Sequence, residues 1–221
     1  LGAYDVSKKV SLTSNAVIPV LLCSVLISSV GLAPFFFLSQ NGSLTGSVFF
    51  VPEVDFRTHM FLVLKAIIVL SSWLFAYFAI KHLPITIASP IKATQPMWVV
   101  LGGVLIFGER LNLMQSLGVV VTLISFFMFS YVGKKEGLNI RSNKWLWFIM
   151  LATFTGAISG LYDKYLLAHY NHMAVQVYYT WYQALIMLAI TAFLWYPTRH
   201  QTTTFQFRWS IFYISLFLVA A

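Results

Sequence analysis

Residues 88–123 read ASPIKATQPMWVVLGGVLIFGERLNLMQSLGVVVTL, two apolar segments joined by a charged corner. The corner consists of Gly108, Glu109 and Arg110, and it is too short to join anything except antiparallel neighbours. A helix needs about 20 apolar residues to cross roughly 30 Å of hydrocarbon. Extended outward, both segments reach that length. The stretch therefore predicts two adjacent transmembrane helices.

The composition of the whole chain agrees with this prediction. Hydrophobic residues make up 59% of the chain and charged residues only 9%, whereas a soluble domain carries about a quarter charged residues. Helices are expected because open strands would leave backbone groups unpaired in lipid. We therefore predict an all-α polytopic membrane protein, with apolar spans at residues 16–38, 59–80, 85–107, 113–132, 145–167 and 174–195, and another that begins at Trp209.

The net charge of +8 does not indicate a nucleic-acid partner. The lysines and arginines lie at the ends of apolar runs, where they orient membrane proteins, so the expected partner is the lipid bilayer. His169 and His172 have the spacing of a metal pair, but no third ligand lies near them in the sequence. No glycine-rich phosphate loop is present either. We expect no metal, no other cofactor and no ATP.

An internal repeat organises the chain. Tyr4 and Asp5 recur as Tyr162 and Asp163, 158 positions later, and an apolar span follows each copy. Five predicted spans separate the two copies. An odd number of spans inverts the second copy in the membrane, an arrangement common among secondary transporters.

The repeat also predicts the domain organisation. Residues 1–132 form the first five-helix repeat, in which the start of the first helix is missing. Residues 133–144 form a connecting loop, and residues 145–221 form a second repeat that is truncated in its third helix. The expected full chain has ten spans in roughly 290–310 residues, about eight of which are wholly or partly present here.

These features resemble the EamA-like family of the drug/metabolite transporter superfamily. The resemblance rests on the five-span repeat and on Pro96, which is followed eleven residues later by the corner and then by the Gly118 helix. It implies ten helices, a central cavity between two halves, and alternating-access transport without ATP. It also implies the opposite membrane orientation to the one that the basic loop residues favour. The family's solutes are diverse, so the resemblance does not identify the substrate.

Two lysines lie inside predicted spans, Lys65 and Lys92. A charged residue at membrane depth costs at least about 2.5–3.5 kcal/mol, so it faces protein or water. Each lysine either binds an anionic group of a solute or extends to the interface and anchors its helix. We hypothesise that Lys65, Lys92, Gln95 and Trp98 bind the substrate.

The predicted span at residues 85–107 contains Pro90 and Pro96. Each proline deprives a carbonyl of its helical partner, so we predict a twice-broken helix. Free carbonyls at such a break either bind a ligand or mark a packing kink.

The repeated pairs Tyr4–Asp5 and Tyr162–Asp163 are candidates for proton coupling or gating, or are ordinary helix-end and interfacial residues. Gly108, Glu109 and Arg110 are predicted to be structural, with the two charges capping the adjoining helices.

The sequence predicts a secondary-active transporter, not an enzyme, that moves a small polar metabolite by alternating access in a bacterial cytoplasmic membrane. An anionic or zwitterionic solute would suit the two lysines. A receptor or scaffold without transport activity and an intramembrane enzyme are the alternatives. A homodimer and coupling to a proton or ion gradient stay open.

Overall fold

The computed structural model describes residues 2–135, 143–200 and 203–220, and these residues contain helices and no strand. A π-helical turn at Thr191–Trp195 and a short turn at Tyr196–Thr198 directly follow the helix that ends at Ile190. The helices are α1 (Gly2–Leu12), α2 (Val17–Gln40), α3 (Phe56–His82), α4 (Ile85–Ala93), α5 (Gln95–Phe107), α6 (Leu113–Lys135), α7 (Lys144–His169), α8 (His172–Ile190) and α9 (Trp209–Ala220).

Among the residues that the structure describes, five segments are long and apolar enough to cross a membrane: Val17–Gln40, Phe56–His82, Ile85–Phe107, Lys144–His169 and His172–Thr198. The prediction of an all-α polytopic membrane protein is confirmed. Shorter apolar helices cover Leu113–Ser125 and Trp209–Val219. In the predicted connecting loop, α6 extends to Lys135 and α7 begins at Lys144, while residues 136–142 lie outside the described part of the chain.

The helices form two compact units. The first combines Leu1–Leu70 with Asp163–Ala221, and the second is Ser71–Tyr162. Neither unit coincides with a predicted repeat, and the division into repeats stays a prediction.

In the first unit, α2 packs against α8 and α9, and α1 packs against α9. An apolar cluster of Leu32, Val51, Ala174 and Val177 joins α2 to α8. The Ser28 hydroxyl donates to the Ser215 carbonyl at 3.1 Å and joins α2 to α9. Apolar packing and a hydrogen bond between small polar groups thus bring three helices together.

Helix α3 begins at a capped turn. The Asp55 carboxylate accepts a hydrogen bond from the Thr58 backbone N–H at 3.3 Å and another from the Thr58 hydroxyl. These bonds stabilise the ionised carboxylate and hold the pKa of Asp55 below its usual value. One turn on, His59 Nδ1 lies 2.8 Å from the Tyr182 hydroxyl and ties α3 to α8.

Asn15 joins the turn after α1 to the segment before α9. Its side-chain amide donates to the carbonyls of Ser11 at 3.0 Å and Gln206 at 2.7 Å. Its oxygen accepts from the N–H groups of Ala16 and Gln206, both at 2.9 Å. Asn15 is fully buried, so these backbone groups depend on it for hydrogen bonds that water would otherwise provide.

In the second unit, the span at residues 85–107 is interrupted once, at Thr94, between α4 and α5. Pro96 lies in the first turn of α5, where a missing N–H is tolerated. The prediction of a second break at Pro90 is wrong: α4 runs through Pro90 to Ala93. The Thr94 hydroxyl donates to the Ile91 carbonyl at 2.7 Å, which satisfies one acceptor at the interruption.

The corner after α5 joins two helices, and the structural role predicted for Gly108, Glu109 and Arg110 stays a prediction. Gly108 ends α5 in the left-handed conformation, with φ 66°, which glycine adopts without steric cost. The Glu109 carboxylate lies close to Gly103. A Cβ built on that glycine would lie 2.8 Å from the Glu109 Oε2 atom. Helix α6 is capped by Asn112 and Gln115, each of which accepts from the backbone N–H of the other.

Glycines bring α7 close to α5. A Cβ built on Gly156 would lie 2.8 Å from the Gln95 amide oxygen, and one on Gly160 would lie 3.1 Å from a Val99 methyl group. Close backbone approach at small residues is how membrane helices gain packing energy without a hydrophobic driving force.

We predict that Asn15→Ala lowers the free energy of unfolding by roughly 3 kcal/mol, because it leaves several buried backbone groups unpaired. Equilibrium unfolding in detergent micelles, followed by tryptophan fluorescence, measures the change. The control is Asn171→Ala, which removes a single helix-capping bond to the Ala174 N–H and should cost about 1 kcal/mol. Equal costs for the two substitutions would contradict the role assigned to Asn15.

We predict that Gly160→Leu destabilises the protein by about 1–3 kcal/mol, because Val99 leaves no room for a larger side chain. In Gly118→Leu the new side chain meets open space on α6, so that variant should match the parent or exceed it. The same unfolding measurement compares them. A smaller loss for Gly160→Leu than for Gly118→Leu would refute the close contact of α5 and α7.

Candidate functional site

A buried ion pair joins α3 to α7 in the first unit. Lys65 Nζ lies 2.9 Å from Asp163 Oδ1, and the two side chains are 6% and 34% exposed. Lys65 Nζ also lies 4.0 Å from the centre of the Tyr179 ring, a cation–π distance. An ammonium group inside a membrane span needs such neighbours, because hydrocarbon solvates it poorly.

The ion pair borders a cavity of about 370 Å³. The residues that line the cavity belong to α3, α7, α8 and α9, and all of them lie in the first unit. Five residues contribute polar groups and four contribute apolar surface: Lys65, Asp163, His172, Gln176 and Tyr179, with Leu167, Met173, Val175 and Val219. Such a cavity can hold a small solute against a positive and a negative charge at once.

Helix α8 supplies polar wall residues that were not among the predicted substrate-binding residues. Gln176 donates from Nε2 to the Leu218 carbonyl at 3.2 Å, and Tyr179 is 9% exposed. The sequence held a signal for them: Gln176, Tyr179, Thr180 and Gln183 recur at helical spacing in an otherwise apolar span. His172, whose spacing from His169 suggested a metal pair, lies instead at the cavity wall.

No group of three or more potential metal ligands occurs among the residues that the structure describes. Nδ1 of His169 lies 2.8 Å from the Tyr165 carbonyl, within its own helix.

The structure pairs two residues that the sequence presented separately. Lys65 was predicted to bind substrate, and Asp163 was predicted to serve coupling or gating. Their direct contact places both at the wall of the same cavity, and the roles predicted for them stay predictions. Tyr162, the neighbour of Asp163, is half-buried and belongs to the second unit, and its gating role stays a prediction.

The repeat-related residues Tyr4 and Asp5 lie on α1. Asp5 is 7% exposed and Lys8 is fully buried. Lys8 Nζ lies 3.6 Å from the Tyr4 ring centre, and that ring meets Phe217 of α9 edge to face. A lysine beside a tyrosine ring thus occurs near both repeated aspartates, and the coupling or gating role of Tyr4 and Asp5 stays a prediction.

The other predicted substrate residues belong to the second unit. Lys92 and Gln95 are half-buried on the two sides of the interruption at Thr94. Trp98 is 42% exposed and borders an apolar groove of about 310 Å³ with residues of α4 and α7. Their part in substrate binding stays a prediction.

Together, the fold and the site define a polytopic helical membrane protein that holds an ion pair and a polar cavity within its spans. The EamA-like transporter family matches residues 1–131. The chain therefore belongs to the EamA-like transporter family, and the predicted resemblance is confirmed.

A curated relative from Archaeoglobus fulgidus, described as an uncharacterized transporter, is 26% identical over 129 residues. The alignment covers 54% of this chain and 45% of the relative, so the chain spans less than half of that protein's length. Both comparisons point to a membrane transporter.

We predict that Lys65→Ala destabilises the protein by roughly 3 kcal/mol, since it leaves a carboxylate partly buried without its partner. The double variant Lys65→Ala/Asp163→Ala should recover part of that loss, because neither charge remains. A double-mutant cycle of unfolding free energies measures the coupling. The control is Lys164→Ala, an exposed lysine beside Asp163, which should change stability by less than about 0.5 kcal/mol. Strictly additive effects would show that the pair contributes nothing.

Proposed function

We propose that the full-length protein is a secondary-active transporter of a small polar metabolite that carries a carboxylate, either an anion or a zwitterion. The observation that carries this proposal is the buried Lys65–Asp163 ion pair at the wall of a cavity of about 370 Å³. Membership of the EamA-like transporter family supports it.

The ion pair suggests how the site selects its solute. A solute carboxylate competes with Asp163 for the Lys65 ammonium group, and a solute ammonium group can replace Lys65 beside Asp163. A neutral solute that separated the pair would leave both charges poorly solvated, which is costly in the low-dielectric interior. The site therefore favours an anion or a zwitterion over a neutral sugar.

The same exchange supports coupling to a gradient. Once a solute carboxylate engages Lys65, Asp163 loses its cationic partner, and a co-transported cation can take the place of that partner. Asp163 is the more exposed member of the pair, which leaves a route for that cation. In this proposal the two inverted halves rock about the site in alternating access, in a bacterial cytoplasmic membrane.

The test uses the full-length protein reconstituted in liposomes with four probe solutes: L-alanine as zwitterion, L-lactate as anion, glucose as neutral solute and choline as cation. We expect alanine or lactate to raise the thermal unfolding midpoint and to enter the liposomes. Both effects should vanish in Lys65→Ala and persist in Lys164→Ala. Lys92→Ala, measured alongside, tests the role predicted for that lysine.

Stabilisation by glucose or choline alone would overturn the proposed solute class. If a solute stabilised the parent and Lys65→Ala equally, the ion pair would not be part of the solute-binding site. Binding of a probe without any flux into the liposomes would favour a receptor over a transporter.

A further inference from the structure

Gln183 is a polar residue that is buried in the middle of an apolar span. The residue is 1% exposed, and its amide nitrogen Nε2 donates no hydrogen bond to any residue that the structure describes. In proteins, the large majority of buried side-chain polar atoms have a hydrogen-bond partner. The exception therefore calls for a reason that packing does not provide.

The energetic cost makes the exception informative. Leaving a buried donor without a partner costs about 1–3 kcal/mol, and within a membrane span water is not available to replace it. Leucine has nearly the same size and would fill the site without that cost. The conformation described here thus buries an amide donor without a hydrogen bond, as expected if that donor is hydrogen-bonded in another conformation of the protein.

The position of Gln183 connects it to the Lys65–Asp163 cavity. Gln176, Tyr179 and Gln183 lie on one face of α8, and the first two line the cavity wall. Gln183 lies two turns beyond Gln176, about 10 Å along the helix axis. Between them, the Thr180 hydroxyl donates to the Gln176 carbonyl of its own helix at 2.7 Å, which leaves Gln183 as the next available polar group on that face.

We propose that Gln183 lines the solute pathway beyond the cavity and hydrogen-bonds a polar group of the passing solute when that part of the pathway opens. This inference rests on the proposed transport function. It assigns the polar face of α8 as the surface along which the solute moves away from the ion pair. It also restricts the solute to one that carries hydrogen-bonding groups.

The test is the chemical accessibility of a cysteine at position 183. In the full-length protein, the native cysteines, including Cys23, are replaced by serine, and Gln183→Cys is introduced. The probe is 2-sulfonatoethyl methanethiosulfonate, a charged thiol reagent that reacts from water and not from hydrocarbon. The matched control is Val177→Cys on the same helix, which is fully buried in the apolar cluster with Leu32, Val51 and Ala174.

We expect the reagent to modify Gln183→Cys in reconstituted liposomes and to leave Val177→Cys unmodified over the same time. We also expect Gln183→Leu to raise the unfolding midpoint, since it removes an unpaired buried donor. Equal reactivity of the two cysteines, or a lowered midpoint for Gln183→Leu, would overturn the inference. If no probe solute stabilises the parent protein, the proposed function fails instead, whatever the reactivity at position 183.

Discussion

The hydrocarbon core of a membrane offers no hydrogen bonds, so polar side chains inside the described spans depend on partners within the protein. An ammonium group there must meet an anion, an aromatic ring or water. Lys65 meets two of these, Asp163 at 2.9 Å and the Tyr179 ring at 4.0 Å. The pair therefore holds α3 beside α7 and α8, and the polar cavity exists because these charges cannot be covered by lipid.

The apolar contacts follow a different rule, because lipid tails are as apolar as the side chains themselves. Helices then associate where their backbones can approach closely. In the second unit this occurs where Gly156 and Gly160 of α7 face Gln95 and Val99 of α5. In the first unit, serine hydroxyls add bonds to carbonyls of neighbouring helices, as between Ser28 and Ser215. Each unit thus combines close packing with a few satisfied polar groups.

Local patterns in the sequence were sufficient for the helices but not for the contacts between them. The apolar runs predicted nearly every span, because membrane thickness dictates span length. Burial cost drew attention to Lys65 and the internal repeat to Asp163, and both residues line the same cavity. Their pairing could not be predicted, since it depends on how α3 and α7 pack across about a hundred residues of sequence. The prediction of a helix break at Pro90 was wrong for a related reason. Neighbouring helices and side chains can satisfy the backbone groups that a proline frees in a membrane helix, and the helix then continues through the proline.

Asn15 has a consequence for the order in which the chain assembles. Its amide bonds to Gln206 across 191 residues of sequence, and Ser11, near the end of α1, bonds to Ser210. During synthesis the membrane receives α1 long before it receives α9. Until then the polar face of α1, with Asp5 and Lys8 buried in the finished structure, has no α9 to cover it. A chain that has been made only as far as residue 205 therefore lacks the Gln206 backbone groups that bond to Asn15, so this part of the first unit closes only late in synthesis.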